Sequence, residues 1–368
     1  MHTIVVGAGI VGLCTALSHA ERGAKVTLIE RGLPGAANST STGGGIREKF
    51  GTKLNITLSK LAAPFWATFG ERFGVDICFR ESGYLFIAKN NEEATRLKAQ
   101  AELQNSLSVG TGRGIRGAAF RQQDGWANQH PIVDGLYRGV LEAGVNLQVG
   151  TEALSLISNN GGVVKGVVTT TGRMLGDAVV LATGPWCNSL LEPLGLTVPV
   201  AGHRHQLLIV EPAEPLPTDL PWLISVGAQV HLRPDSAGRV LVGGFLGHDE
   251  RCDLQGWSRQ ADDDWSQEVL AVAGREFGVV NRDAVIKHGW AGLYPSTPDR
   301  HPVVDRLRPG LFGALGLSGT GLMHGPAIGV LMADLILDGS IDDPDLAKGL
   351  GLDRFIDTDG SSGEATGL

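Results

Sequence analysis

The chain has 368 residues, more than one hydrophobic core usually holds, so two domains are expected. Hydrophobic residues at 42% and charged residues at 19% exclude a disordered chain, and 53 glycines with no period exclude a collagen-like or linker sequence. A net charge of −8 with no basic block argues against nucleic acid as a partner.

Residues 3–6 form a short β-branched run that leads into Gly7-Ala8-Gly9-Ile10-Val11-Gly12 and an Ala/Leu-rich helical stretch. A second apolar strand, Lys25-Val26-Thr27-Leu28-Ile29, ends on Glu30. This is the order of a βαβ dinucleotide clamp. Gly7 permits the sharp turn, Gly9 lets backbone approach a pyrophosphate, and Gly12 allows close helix–strand contact. The helix amino end offers N–H groups and a positive dipole to phosphates. Glu30 stands where a carboxylate accepts from a ribose hydroxyl, and it would repel a 2′-phosphate. The chain goes directly into this strand, with no charged leader or cleavage site. Four scattered cysteines, Cys14, Cys78, Cys187 and Cys252, form no CxxC pair. Together these features point to a reduced, cytoplasmic protein.

Leu54, Leu58, Leu61, Phe65 and Phe69 recur at helical spacing over residues 54–73. Ile77-Cys78-Phe79 and Tyr84-Leu85-Phe86-Ile87 read as a hairpin, followed by a polar helix over 91–106 and a surface loop over 108–130. A helix at 132–143 and a strand at 145–149 come next, then short strands over 161–184 that end in Ala182-Thr183-Gly184. Strands are expected at 206–211, 222–232 and 239–244, a helix at 263–277 and a strand at 311–316. The apolar run 327–337 contains Asp334 and is too short for a membrane span, so it reads as a buried core helix. The Gly/Ser/Thr-rich tail 353–368 reads as disordered.

Nucleotide-type segments recur at both ends and in the middle, so the two domains must interleave. We expect an α/β Rossmann-like domain from residues 1–75, 131–200 and 290–350. A substrate domain on an antiparallel sheet would take residues 76–130 and 201–289.

Five segments occur in a telling order. They are the glycine turn with Glu30, Ser41-Thr42-Gly43-Gly44-Gly45-Ile46-Arg47, Ala182-Thr183-Gly184, Trp290-Ala291-Gly292-Leu293-Tyr294-Pro295-Ser296-Thr297-Pro298-Asp299, and Leu317-Ser318-Gly319-Thr320-Gly321-Leu322-Met323-His324. Over about residues 1–345 the chain resembles the FAD-dependent D-amino-acid oxidase superfamily, the group of glycine oxidase, sarcosine oxidases and the β-type subunit of proline dehydrogenases. The resemblance implies FAD at the interface of the two domains. It also implies hydride transfer from the carbon bearing an amine to flavin N5, with the cofactor holding the electrons. It places FAD contacts at Gly7, Gly9, Ile10, Val11, Gly12, Glu30, Arg31, Ser41, Thr42, Gly44, Gly45, Ala153, Thr183, Gly184, Gly292, Gly319, Gly321, Leu322 and Met323. The cofactor is expected to be non-covalent. Gly292 stands where monomeric sarcosine oxidases carry the tethering cysteine, and no histidine lies between Asn38 and Arg47.

Arg47 is the expected anchor for a substrate carboxylate, because a guanidinium grips it through two parallel hydrogen bonds. The bland alternative is a surface salt bridge. His231 and Arg233 alternate on one strand face and are candidates for contact with substrate or flavin, against solvent-exposed edge residues. Met323 stands where monomeric sarcosine oxidases have a second cationic anchor, and Thr320 where histidine is frequent, which puts simple sarcosine specificity in doubt. The 318–324 segment would precede a helix with Pro326 in its first turn. His203 and His205 read as structural. No residue set has metal-binding spacing, and no hydrolytic Gly-x-Ser-x-Gly motif occurs.

Small glycine-, sarcosine- or proline-like acids are the expected substrates, with oxygen or another electron acceptor and either a homo-oligomer or a partner subunit. A 2-hydroxy-acid oxidase and a flavin-bearing subunit of a larger amine dehydrogenase remain open. An NAD-dependent dehydrogenase would fit the first glycine turn but leave the later glycine segments unexplained.

Overall fold

The first β-branched run becomes the strand His2–Val6, buried along residues 3–6 at the middle of a six-stranded sheet. Across that sheet the order is Val303–Arg308, Leu311–Leu315, Ala178–Leu181, His2–Val6, Lys25–Glu30 and Asn146–Val149. All neighbours pair in parallel except the antiparallel edge pair Val303–Arg308 and Leu311–Leu315. Near-continuous apolar runs suit these strands because both faces are covered. Val5, Leu28 and Val180 pack with the helices Ile10–Glu21 and Gly321–Ala333. Ile4, Val6 and Val179 face the three-stranded sheet of residues 153–175 and the Cys187–Leu191 helix. The computed structural model describes residues 1–113, 117–212, 214–235, 237–246, 251–280 and 284–356.

A second, eight-stranded sheet runs Val285–Ser296, Ala201–Glu211, Val240–Gly244, Val230–Pro234, Trp222–Ser225, Tyr84–Ile87, Ala118–Arg121 and Gly112–Arg113. It is antiparallel except where Tyr84–Ile87 lies parallel to Trp222–Ser225. That pairing corrects the expected hairpin. Tyr84–Ile87 takes no partner from residues 77–79 and is held between two distant strands instead. The stretch read as a surface loop supplies Ala118–Arg121 and Gly125–Trp126, strands too short to show an alternation. The strand read over 222–232 is split by a turn with Gln229 at φ 53.

The helices follow their periodicity. Asn91–Ser106 and Asp263–Phe277 have the expected bounds, and Lys53–Ala67 starts where the Thr52 hydroxyl accepts the Asn55 N–H. The last core helix starts at Gly321, not near Pro326, which lies in its second turn. The helical stretch Gly321–Asp338 is long and apolar enough to cross a membrane by length and composition, yet 67% of it is buried inside the fold. At the start of the tail read as disordered from Asp353, a 3-10 turn Leu352–Phe355 is docked by Arg354, whose Nε donates to Asp299 at 2.7 Å. Residues 357–368 of the expected tail lie outside the described residues.

Candidate active site

The sheet order reverses around His2–Val6, and a cavity of about 220 Å³ opens at the carboxyl ends of the central strands. Val6, Gly7, Ile29, Glu30, Ala182 and Thr183 form its floor. Gly7 holds φ +99, and a Cβ there would also sit 2.6 Å from the Ala182 carbonyl oxygen, so both backbone and space demand glycine. At Gly12 a Cβ would meet the Gly7 carbonyl oxygen at 1.8 Å, so this glycine serves helix–strand packing and lines no cavity. Gly9, Ile10 and Val11 do line it, at the start of a helix whose cap makes no side-chain hydrogen bond.

Glu30 is oriented before any ligand arrives. Its Oε2 accepts the Ala8 N–H and its Oε1 the Gly32 N–H, each at 2.8 Å. Each carboxylate oxygen keeps further lone-pair capacity for a ribose hydroxyl. Arg31 stacks over the Trp186 ring at 4.4 Å and faces Glu152, and all three line the cavity. Thr183 Oγ1 lines it as well, buried and with no hydrogen-bond partner among the described residues. A buried hydroxyl without a partner costs stability unless a ligand satisfies it. Ala153, Ser41, Thr42, Gly184, Gly292, Gly319, Gly321 and Leu322 line it too, whereas Gly12, Gly44, Gly45 and Met323 of the expected contacts do not. Sequence reading missed Asn38, Ser39, Thr151 and Trp186. Ser39 Oγ accepts the Ile10 N–H at 3.0 Å and Asn38 Oδ1 accepts the Leu293 N–H at 2.9 Å. The polar run Asn38-Ser39-Thr40 just before Ser41 was the available signal.

A second cavity, about 70 Å³, shares Thr42, Tyr294 and Gly319 with the first. Aromatic residues wall it: Phe50, Tyr84, Trp222, Phe245 and Tyr294. Arg47 lies here, 6% exposed and so not at the surface, with its guanidinium 4.4 Å from the Phe50 ring centroid. Gly43 and Gly45 make room for that wall. A Cβ on Gly43 would meet Trp222 at 2.7 Å, and one on Gly45 would meet the Tyr84 hydroxyl at 2.2 Å. Gly44 faces the other way, at φ +79 against the Ala127 carbonyl, and lines neither cavity.

His231 also lines this cavity, and its Nδ1 accepts the Trp222 Nε1–H at 3.2 Å. Burial, helped by the charges of Arg233 and Arg47, pushes its pKa down to about 3. The ring is therefore neutral near pH 7, with its proton on Nε2. Arg233 takes a different position: it lines neither cavity. Its Nε and Nη2 donate to the Gly43 carbonyl at 3.1 and 2.7 Å, while the guanidinium stacks on Trp126 at 3.9 Å. Burial lowers its pKa to about 10, which leaves it charged at neutral pH. Arg233 thus pins the glycine loop from behind.

Met323 lines the second cavity and its carbonyl accepts the Trp66 Nε1–H at 3.0 Å. The first turn of the Gly321–Ala333 helix stands where the two cavities meet, again without a side-chain cap. His205 packs between Phe245 and Tyr294, with ring centroids at 4.3 and 4.2 Å. Behind Arg47 lies Lys49, which sequence reading passed over. It is 2% exposed, with Nζ 4.4 Å over the Phe86 ring. Nearby, the buried Asp124 Oδ1 accepts the Glu48 N–H and an Arg121 N–H, each at 2.8 Å, and so fixes the chain next to Arg47.

Comparison with known proteins identifies the family and the fold. The model of the family described as FAD dependent oxidoreductase (DAO) matches residues 2–335. Glycine oxidase of Pseudomonas aeruginosa is 29% identical over 356 residues, covering 90% of this chain and 94% of that protein. The crystal structure of L-proline dehydrogenase from P. horikoshii has a TM-score of 0.85 and 26% identity, covering 96% of this chain and 97% of that one. Glycine oxidase from Geobacillus kaustophilus shares the fold at TM-score 0.81 and 23% identity, over 96% and 98% of the two chains.

Proposed function

This chain belongs to the FAD-dependent oxidoreductase family, and on that premise we propose that it oxidises the C–N bond of a small amino or imino acid. The observation that carries this reading is the buried Arg47 in a cavity continuous with the cofactor cleft through Thr42, Tyr294 and Gly319. FAD would be held by Glu30 at its ribose, by the amino end of the Ile10–Glu21 helix at its pyrophosphate, and by Thr183 and the 319–322 turn further along. Gly292 offers no side chain for a covalent link, and no cysteine lines either cavity. When bound, FAD takes up the two electrons and the hydrogen of the substrate C–H bond, while the substrate nitrogen gives a proton to water and a C=N bond forms.

The chain's own residues position the substrate. Arg47 binds the carboxylate, and the aromatic walls exclude water and so strengthen that contact. Arg233 keeps the Gly43 carbonyl drawn back, which holds the loop carrying Arg47 in place. Among the described residues the cavity lining holds no carboxylate.

Anaerobic flavin reduction by an amino acid and by its decarboxylated amine tests the reading. Arg47→Ala should slow the amino acid by an amount worth roughly 2–5 kcal/mol, because a carboxylate is left unpaired in a closed site. Arg47→Lys should recover little, since a point charge cannot reproduce the planar fork. Equal effects on both compounds, or none on either, would remove Arg47 from carboxylate binding.

A further inference from the structure

We propose that the Trp222 indole sets the upper size of the substrate, restricting the site to amino or imino acids with a short substituent and excluding long aliphatic and aromatic ones. This deepens the reading above that the cavity oxidises amino or imino acids, and it rests on that reading. The aromatic-walled cavity measures about 70 Å³. At roughly 10–15 Å³ for each water-sized group, it has room for about five of them, the scale of the smallest amino acids. Trp222 and Arg47 line this same space, so a substrate whose carboxylate is held at Arg47 has to fit the rest of its body beside the indole.

The indole is held at both ends. Its benzo edge lies on the glycine loop: a Cβ on Gly43 would meet Trp222 Cη2 at 2.7 Å, and one on Gly45 would meet Cζ3 at 3.3 Å. At the opposite end, Nε1–H donates to His231 Nδ1 at 3.2 Å. One face stacks on Tyr84, with ring centroids 4.9 Å apart and planes 24° from parallel. The backbone is fixed as well, because the Trp222 N–H donates to the Gly83 carbonyl at 2.9 Å and strand pairing sets Trp222 beside Tyr84. Swinging the side chain away would break the hydrogen bond to His231 and the stack on Tyr84 together, so a larger substrate cannot make its own room. The space that Gly43 and Gly45 leave is already taken up by the indole and is not open to a ligand. A rigid apolar wall of this kind discriminates by about tenfold or more for a methylene that does not fit.

The test is anaerobic flavin reduction by the holoenzyme with alanine and norleucine, each as both enantiomers and in its N-methyl form. Wild type should favour the better alanine compound over its norleucine counterpart by about a hundredfold or more in kcat/KM. In Trp222→Leu the norleucine-to-alanine ratio should rise about tenfold or more, and in Trp222→Phe it should rise by less, because a smaller ring still occupies part of the space. Each ratio is taken within one preparation, so a loss of folded or flavin-loaded protein cancels, and a merely structural role would lower both substrates together. Trp222→Phe keeps a ring against Tyr84 and carries the test if Trp222→Leu does not fold. A wild type that takes norleucine as well as alanine, or a ratio unchanged in the variants, overturns this inference and leaves the C–N reading standing. If none of these acids reduces the flavin of wild type or variant, the reading of the site falls, and this inference with it.

Discussion

Lys49 shows how much a single buried charge weighs. Burial and the neighbouring Arg47 charge lower its pKa to about 8 from an ordinary value near 10.5. Below pH 8 the folded and unfolded chains both carry the proton, and the full cost of burying the ammonium is present. Between about 8 and 10.5 the unfolded chain holds more protons, so this group's contribution to stability rises with pH. Replacing a buried charge by an apolar side chain of similar length is often stabilising. Lys49→Met should therefore be more stable than wild type at pH 7, by on the order of 3 kcal/mol. That gain should shrink as pH rises through the window. Urea melts of both proteins at pH 7, 8, 9 and 10 measure it, and a difference that stays constant with pH would refute the argument. Asp124, Tyr84 and His231 are buried nearby, so the comparison is made between the two proteins at each pH and not along one curve.

The helices Ile10–Glu21 and Gly321–Ala333 bring both of their amino ends to the cofactor cavity, and glycine sets how closely they cross. A Cβ on Gly329 would stand 2.6 Å from the Cys14 carbonyl oxygen, and one on Gly325 would stand 2.7 Å from Ile10 Cγ2. The obstacle at Gly329 is backbone, which cannot swing aside as a side chain can. Gly329→Ala should therefore push the helices apart and cost roughly 1–3 kcal/mol. Because both amino ends move, the flavin-to-protein ratio should drop too. Thermal unfolding and the visible spectrum of the purified variant report the two effects, and wild-type values in both would show that the crossing has slack. The all-round apolar character of residues 321–333 marked a buried helix; the identity of its neighbour was not written there.

At the scale of the molecule, the cofactor cavity is assembled from stretches within residues 6–42, 151–190 and 292–322. A ligand that touches all three binds only the folded chain and stabilises it by mass action, by about 2.7 kcal/mol at a hundredfold excess over Kd. Removing FAD should lower the melting temperature, and titrating it back should raise it. In Glu30→Ala the loss of a charge-assisted contact, worth about 1.5–3 kcal/mol, should displace that titration to roughly tenfold or more higher FAD. The same change also strips the Ala8 and Gly32 N–H groups of their acceptor, so the FAD-free protein should melt lower as well. An unshifted titration would mean that Glu30 is not part of the nucleotide site.

Several features were legible because they are written within a few residues of one another. The strand–glycine turn–helix run, Glu30 at the end of the next strand, and the helices Asn91–Ser106 and Asp263–Phe277 all follow from short-range backbone preference and side-chain period. Cavity-lining residues such as Gly9, Thr42 and Gly319 were equally readable, because close backbone approach demands glycine or a small polar side chain. The partner of Tyr84–Ile87, the orientation of Gly44, and the hold of Arg233 on the Gly43 carbonyl were not. Each joins residues far apart in the chain, and a single residue type is compatible with many such partners. The aromatic-walled cavity is the extreme case: Phe50, Tyr84, Trp222, Phe245 and Tyr294 lie far apart in the chain and become one wall only once it has folded. Local chemistry set the strand–glycine turn–helix run, and tertiary packing alone decided which charges line the second cavity, because burial and proximity exist only in the folded chain.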